Sequence, residues 1–527
     1  MDFLHKLNCK YRRRGGFRAC IFVFVLGALE NIGFVANMSI MVLYFHHAMS
    51  FGISTSANML TNFLGSTFLL TIVGGFISDT YLNRLHTCLI FGFLEIMGLL
   101  LVTIQAYSKN SQADSCKKSS CVKGGEAFMF YTSLCLLALG AGGVKGSIAA
   151  LGADQFDRTD QEWARFVASY FNYYQFSATI GSLIGVTAVM DCTEQRLAMG
   201  FLHWLGSGVG WFCGSCTWKA FLFVPTVVIA AIQNRNLKVP EDPGMLHEIE
   251  ENERDISEEK LLNTRQFRFL DKAAVLWDGV TQSRRACTVT QVEEVKKLIR
   301  MLPIISSTVI MNTCLAQLQT FSVLQGYLME PHLATLNVPN PSIPVIPIIF
   351  MVILLPLYEF FFIPLARRLT GHPTGITQLQ RVGVGLVLSV FSMGIAGLVE
   401  VKRRDQALTN PSKPISLFWL SFQYGIFGIA DMFVMVGLME FFYKEAPSGM
   451  RSLSTSFSLL SLSFGYFFSS MFVSIINAIT QKATASKQGW LEAEDLNHNK
   501  LDYFYWFLAI LSSLNFGIYL LWASWYR

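Results

Sequence analysis

Four ionisable residues stand in strongly apolar surroundings: Glu30 in Gly27-Ala28-Leu29-Glu30-Asn31, Glu95 in Phe93-Leu94-Glu95-Ile96, Lys145 in Gly142-Gly143-Val144-Lys145-Gly146-Ser147, and Asp431 in Ile429-Ala430-Asp431-Met432. A charge in hydrocarbon costs about 2.5–3.5 kcal/mol on insertion scales, so each of these groups implies a partner or a water-filled cavity. The chemistry open to them is ion pairing, binding of a charged solute and proton exchange. At about 1.5 Å rise per residue, Lys145 and Asp431 reach similar depths on their helices, which predicts an ion pair between the two halves of the chain that breaks when a proton or solute replaces one partner. A static packing pair is the alternative. Glu30 and Glu95 are the candidate proton sites, against a reading as interhelical polar glue. None of the nine histidines lies deep in an apolar run, so a histidine relay has no members. HExxH, a GxSxG elbow and a phosphate-cradling loop are all lacking, and the chain reads as a non-enzyme with no cofactor.

The elements that carry these residues are membrane helices. Of 527 residues, 52% are hydrophobic and only 15% charged, a balance that excludes an ordinary soluble protein. The net charge of +5 has no basic-aromatic clustering, so nucleic acid is excluded as a partner and the lipid bilayer takes its place. Residues 1–18 carry Lys6, Lys10, Arg12, Arg13, Arg14 and Arg18 and form a cytoplasmic N-terminus; the apolar run behind them is too long for a signal peptide. With roughly 20 apolar residues to a crossing, spans lie near residues 19–45, 57–78, 86–106, 127–150, 168–190, a short 218–232, then 302–328, 343–366, 381–401, 416–442, 452–478 and 503–525. The sequon at Asn37 falls inside the first span and is expected to be unused.

Residues 19–233 thus form an N-terminal helical half and 302–527 a C-terminal one, with both termini cytoplasmic. Between them, 234–301 reads as a solvated, charged cytoplasmic linker. It ends in an amphipathic helix opened by the capping box Thr290-Gln291-Val292-Glu293. Cys213 and Cys216 form a lone CxxC with no second pair, too little for a zinc site, in a stretch from Asp191 to Ala220 that is neither a clean span nor an ordinary loop. Cys116 and Cys121 fall in a non-cytoplasmic loop where a disulfide is permitted.

The turn Gly74-Gly75-Phe76-Ile77-Ser78-Asp79-Thr80-Tyr81-Leu82-Asn83-Arg84 joins the second and third spans, with a degenerate counterpart at Pro356-Leu357-Tyr358-Glu359. A structural loop built on Gly74, Gly75, Asp79 and Arg84 resembles the signature of the major facilitator superfamily. That resemblance implies an all-α membrane protein of 12 transmembrane helices in two six-helix halves. Ala57-Asn58-Met59-Leu60-Thr61-Asn62, Gly152-Ala153-Asp154-Gln155-Phe156-Asp157, Phe171-Asn172-Tyr173-Tyr174, Leu315-Ala316-Gln317-Leu318, Gln380-Arg381-Val382-Gly383 and Glu445-Ala446-Pro447-Ser448-Gly449-Met450 occur in order along nearly the whole chain. They resemble the plant nitrate transporter 1/peptide transporter family, and Glu30-Asn31-Ile32-Gly33-Phe34 with Asn312-Thr313-Cys314-Leu315 is most similar to its fourth subfamily.

The resemblance implies alternating-access transport of a small molecule, with a lysine and an acidic residue at the positions of Lys145 and Asp431, and with abscisic acid or gibberellin as substrates in that subfamily. It also marks departures. Peptide-transporting relatives carry E-x-x-E-R in the first span, where this chain has one carboxylate and Asn31. Nitrate-transporting relatives carry a histidine where this chain has Leu315. A cavity lined by Tyr173, Tyr174, Leu315, Gln319, Met432 and Phe433, with Lys145 as its cation, suits an amphipathic organic acid, possible proton symport included. Nitrate or di/tripeptide transport, a ligand sensor that does not translocate, and a passive channel stay open as alternatives. The plasma membrane is the expected location.

Overall fold

The computed structural model describes residues 16–45, 53–110, 124–156, 162–193, 231, 263–264, 266–275, 287–330, 332–333, 336–337, 345–371, 374–411, 413–483, 489–491 and 496–526. The predicted sixth span, the Asp191 to Ala220 stretch beyond residue 193 and the Cys116/Cys121 pair lie outside them. Eleven long helices run through the described residues: α1 Gly16–Leu43, α2 Ile53–Thr80, α3 Arg84–Asn110, α4 Gly125–Ala153, α5 Trp163–Thr193, α6 Val289–Tyr327, α7 Val345–Thr370, α8 Gln378–Thr409, α9 Leu420–Glu445, α10 Arg451–Ala483 and α11 Leu501–Tyr526. Ten of them, all but α5, are long and apolar enough throughout to cross a membrane. α5 is polar over its first half, with Arg165, Ser169 and Asn172 beside Tyr170, Tyr173 and Tyr174, and apolar beyond. A two-stranded hairpin, β1 His332–Leu333 against β2 Leu336–Asn337, lies between α6 and α7.

Helices pack as α1 on α5, α2 on α4 and α3 on α4 in the first half, and as α8 on α9 and α11, with α6 on α10, in the second. The halves meet where α2 runs along α10 and α5 along α7. Large apolar side chains such as Phe391, Ile510, Leu514 and Leu521 face outward, as they must where the solvent is hydrocarbon. Between helices in lipid there is no hydrophobic drive, so close van der Waals approach has to hold them together. Glycine supplies it here. A Cβ on Gly146 would lie 2.2 Å from the Thr71 carbonyl oxygen, and one on Gly74 would lie 2.4 Å from the Gly143 Cα, so the glycines flanking Lys145 are the surface on which α2 is seated.

Three local expectations are corrected. The capping box of α6 is Thr288 with Gln291, not Thr290 with Glu293: the Thr288 hydroxyl accepts from the Gln291 N–H at 3.2 Å and the Gln291 side chain accepts from the Thr288 N–H at 3.1 Å. Both pairs have the required spacing, but Glu293 is committed elsewhere. Its carboxylate accepts from the Thr264 N–H at 2.9 Å and from the Lys296 ammonium at 2.7 Å, and Lys296 also meets Asp271 at 2.7 Å. The linker is therefore not wholly solvated: residues around Leu270, Ala273 and Ala274 form a small core with Ala231, Val292 and Val295. Finally, Pro356-Leu357-Tyr358-Glu359 is no inter-span loop. It lies within α7, where Tyr358–Phe362 forms a π-helical turn. Pro364 has no N–H to give the carbonyl one turn before it, and a widened turn is one way a helix accommodates that loss.

Two expected outcomes follow. Gly146→Val, which drives a side chain into the α2 backbone, should abolish the monodisperse folded species in size-exclusion chromatography. Gly517→Ala, with nothing within 4 Å of its added Cβ, should leave it intact or raise stability by about 0.4–1 kcal/mol. Lys296→Met should expose residues 263–275 to proteolysis, since it leaves Glu293 and Asp271 without their common cation. Burial holds the Asp271 carboxyl above its ordinary value, so the docked segment binds a proton more tightly than the free chain. Its contribution is present at acid pH and weakens as pH rises, and the variant's extra cleavage should be larger at neutral than at acid pH.

Candidate functional site

The partner of Lys145 is Glu30. The ammonium lies 2.8 Å from Glu30 Oε1 and donates to Oε2 at 2.9 Å, with the two side chains 11% and 6% exposed. The Phe34 ring, one turn along α1, covers the same ammonium at 4.1 Å from its centroid. Glu95 of α3 sits in the field of both groups, and its backbone occupies the space left by Gly140. Tyr174 of α5 packs on α1 at Gly27, where an added Cβ would lie 3.1 Å from its ring.

The predicted Lys145–Asp431 pair does not form in this structure. Among the described residues Asp431 has no hydrogen bond and no ion pair, and its nearest polar surroundings are at Tyr466, whose hydroxyl donates to Gln319 at 2.6 Å. Two physical reasons separate the charges. Phe34, Phe68 and Ala141 of the first half and Ala316, Leu459 and Tyr466 of the second form one apolar cluster, with Leu315 packed on it and Phe68 stacked on Tyr466. Asp431 is also the shorter of the two acids and reaches less far from its helix.

The expected cavity lining divides. Leu315 and Gln319 belong to this centre. Met432, 2% exposed, packs instead with Met351, Leu355 and Tyr358 of α7, and the Phe433 ring lies 5.2 Å from that of Tyr358. On a helix, positions 432 and 433 point about 100° and 200° away from 431, so not all three side chains can face one centre. Tyr173 packs edge-on to Phe17 at 6.0 Å and beside Phe24, toward α1.

The end of the bundle that carries the Gly74–Arg84 turn, the loop end, is closed by polar contacts between the halves. Asp154 accepts from Arg451 at 2.7 Å, from the Tyr443 hydroxyl at 2.6 Å and from Arg84. Arg84 also reaches Asp79 at 3.3 Å, and Asp79 accepts from the Leu453 N–H at 2.8 Å across the interface. Gly75 lets α10 approach: a Cβ there would lie 2.5 Å from Ser456 Oγ. Asp154 and Tyr443 were not assigned chemistry from the sequence, although Asp154 stands in one of the quoted motifs. Among the described residues no cluster of three or more histidine, cysteine or acidic side chains could hold a metal.

The signature of the POT family, PTR2, matches residues 85–491. The chain belongs to this family. It is 42% identical to Protein NRT1/PTR FAMILY 4.3 of Arabidopsis thaliana over 97% of its own length and 90% of that protein, and 40% identical to NRT1/PTR FAMILY 4.4 of the same plant over 98% and 89%. Its fold matches the crystal structure of an auto-inhibited POT family peptide transporter at TM-score 0.64 and 19% identity, over 97% of each chain. A POT family transporter in complex with 5-aminolevulinic acid matches at TM-score 0.60 and 14% identity, again over 97% of each chain. The protein is therefore a multi-pass membrane transporter with the major facilitator architecture, as the sequence motifs imply.

The Lys145–Glu30 contact should behave as one energetic unit. Lys145→Met and Glu30→Gln should each destabilise the protein by about 3–5 kcal/mol, the cost of leaving one buried charge uncompensated, and the double variant should lose less than the sum. Thermal unfolding of the four proteins measures this, and additive losses would refute the pairing.

Proposed function

We propose that this POT family member is a proton-coupled secondary transporter of an amphipathic organic acid, abscisic acid or a gibberellin, acting by alternating access at the plasma membrane. The observation that carries the proposal is the single ammonium of Lys145, held by Glu30 and roofed by Phe34 beside the apolar centre of Phe68, Leu315 and Tyr466. Such walls bury rings, and one cation orients one carboxylate. The two substitutions that set this chain apart are absorbed into packing: Asn31 donates to the Gly27 carbonyl of its own helix at 2.9 Å, and Leu315 joins the apolar cluster, so neither adds a charge.

The coupling step follows from charge balance. With Glu30 ionised, Lys145 is neutralised and a carboxylate solute has no free cation. A proton on Glu30 releases Lys145, and the solute carboxylate takes the vacated place. One proton and one anion then load together, and the site's net charge is unchanged. Glu95, in the field of both groups, is the alternative proton acceptor, and Asp431 is a third acid on the opposite half. Return of the empty carrier requires the Lys145–Glu30 pair to re-form, which gives the two differently stabilised states that alternating access needs.

Uptake of radiolabelled abscisic acid, gibberellin, nitrate and a dipeptide in oocytes, at an acidic and at a neutral external pH, tests the proposal. Hormone accumulation greater at acid pH is expected, and uptake of nitrate or dipeptide alone would overturn it, as would binding without accumulation. Lys145→Ala should reduce concentrative uptake by roughly tenfold or more, the effect of losing a hydrogen bond to a charged group. Glu30→Gln should remove the pH dependence. Leu315→His, which places a polar ring in the apolar centre, should weaken hormone uptake.

A further inference from the structure

A second polar contact between the halves lies apart from the Lys145 site and from the Gly74–Arg84 turn. In the π-helical turn of α7, Glu359 accepts from the Ser169 hydroxyl and from the Asn172 side-chain N–H, both on α5 and both at 2.6 Å. The Asn172 carbonyl oxygen in turn accepts from Arg381 of α8 at 2.9 Å. Arg381 is 3% exposed and lies over the Tyr358 ring at 4.4 Å, and its Nε has no hydrogen-bond partner. Asn172 is thus gripped on both faces by the other half of the molecule: a carboxylate takes its N–H and a guanidinium holds its carbonyl.

The π-turn is what aims Glu359. A π-helical turn holds one more residue than an α-helical one, and it shifts the facing of every residue behind it relative to an unbroken helix. Here it turns a carboxylate onto α5, while Phe360 and Phe361, the next two residues, stay outward at 59% and 71% exposure. Widened turns of this kind recur at functional sites, and a half-buried carboxylate set between the two halves is a costly way to achieve plain packing. Each bond here joins a charged group to a neutral one, strong enough to bias an equilibrium yet without the deep well of an ion pair.

We propose that Glu359, Ser169, Asn172 and Arg381 form a latch that holds the loop end shut, with Glu359 and Arg381 as positioning residues that set the balance between the two access states. The proposal rests on the transporter reading but not on any particular substrate. Opening the loop end separates α5 from α7 and α8 and breaks these contacts, and removing the Glu359 charge moves the resting protein toward the open form.

The test reads distances in the full-length protein in lipid nanodiscs, with no substrate added. Paired spin labels at Glu162→Cys and Leu369→Cys, both exposed, report the loop ends of α5 and α7, after replacement by serine of Cys135, which is exposed, and of Cys9, Cys116, Cys121, Cys192, Cys213 and Cys216. A second pair at Phe128→Cys and Leu408→Cys reports the opposite end, where both residues are exposed. With Glu359→Gln, the ratio of long to short loop-end distances should rise roughly tenfold or more, and the opposite-end distance should shorten in step. Asn172→Ala, which cuts both grips on that side chain, should do the same, and Glu359→Gln added to it should change the distributions less than it does alone, since only the Ser169 contact is left to weaken. If the melting temperature falls while both distributions stay as in the unmodified protein, the contact is structural and the latch is refuted. Local fraying, in which loop-end distances lengthen but the opposite end does not respond, refutes it equally. Failure of hormone uptake with a responsive latch would overturn the substrate assignment alone.

Discussion

An ammonium inside a hydrocarbon slab must be neutralised or solvated, and the packing of the first half is arranged around that demand for Lys145. Its carbon stem leaves α4 between Val144 and Gly146, where glycine lets α2 sit directly on the helix. Small residues on that face leave α2 and α3 no side chains to displace, and the ammonium is carried toward α1, where Glu30 and the Phe34 ring receive it. The neutralising carboxylate is in the same half as the lysine. That pair is consequently complete without the other half, whereas the second half presents Asp431 with no counter-charge among the described residues. Such an arrangement separates two environments: the pair ties α4 to α1 within the first half, and Asp431 stands on α9 apart from it.

Polar groups serve two different ends elsewhere in the molecule. Within the second half, Arg403 grips Glu400 through two nitrogens at 2.7 Å each, with Gln325 and Asn497 completing the set, and both charges are at most 1% exposed. Every member has its partners, which is the condition for a buried network to rigidify a structure instead of weakening it. Between the halves, beside the Asp154–Arg451 ion pair, contacts are mostly of another kind: Ser78 with Ser452, Asp79 with a backbone N–H, Glu359 with a hydroxyl and an amide. These bonds are individually modest and all can be replaced by water. The closed end is held by many exchangeable links, and the interior of each half by few irreplaceable ones.

The helices were legible because twenty apolar residues in a row leave a chain little choice, and the glycines around Lys145 announced close packing through their number. Rise per residue places two side chains at one depth but says nothing of the direction each faces, and the Lys145–Asp431 pairing failed on direction. The same limit hid the division of Asp431, Met432 and Phe433 among different surroundings. Glu359 was misread because a carboxylate three residues after a proline and ahead of two arginines looks like a turn; only the π-turn set up within α7 reveals it as an interface residue. Thr290 and Thr288 satisfy one capping rule equally well, and the choice fell to Thr288 because Glu293 serves Lys296 and Thr264, tertiary partners a local pattern cannot contain. The linker's buried ion cluster was hidden for a related reason, since a run of charges reads as solvated until its members are found facing one another.

A carrier that gives up charged side chains must either leave water in their place or close the space. At Asn31 the amide turns back to its own helix, and at Leu315 the side chain joins the apolar cluster shared by Phe34, Phe68 and Tyr466. Both positions are closed. Among the described residues, the charges near the centre are then Lys145, Glu30, Glu95 and Asp431: one base and three acids. If all four were ionised, these groups would carry two uncompensated negative charges in a medium of low dielectric, a cost that any arrangement of the site has to meet. The absence of an arginine at position 31 therefore does not by itself argue against the proton coupling proposed above, since carboxylates outnumber cations among these four residues.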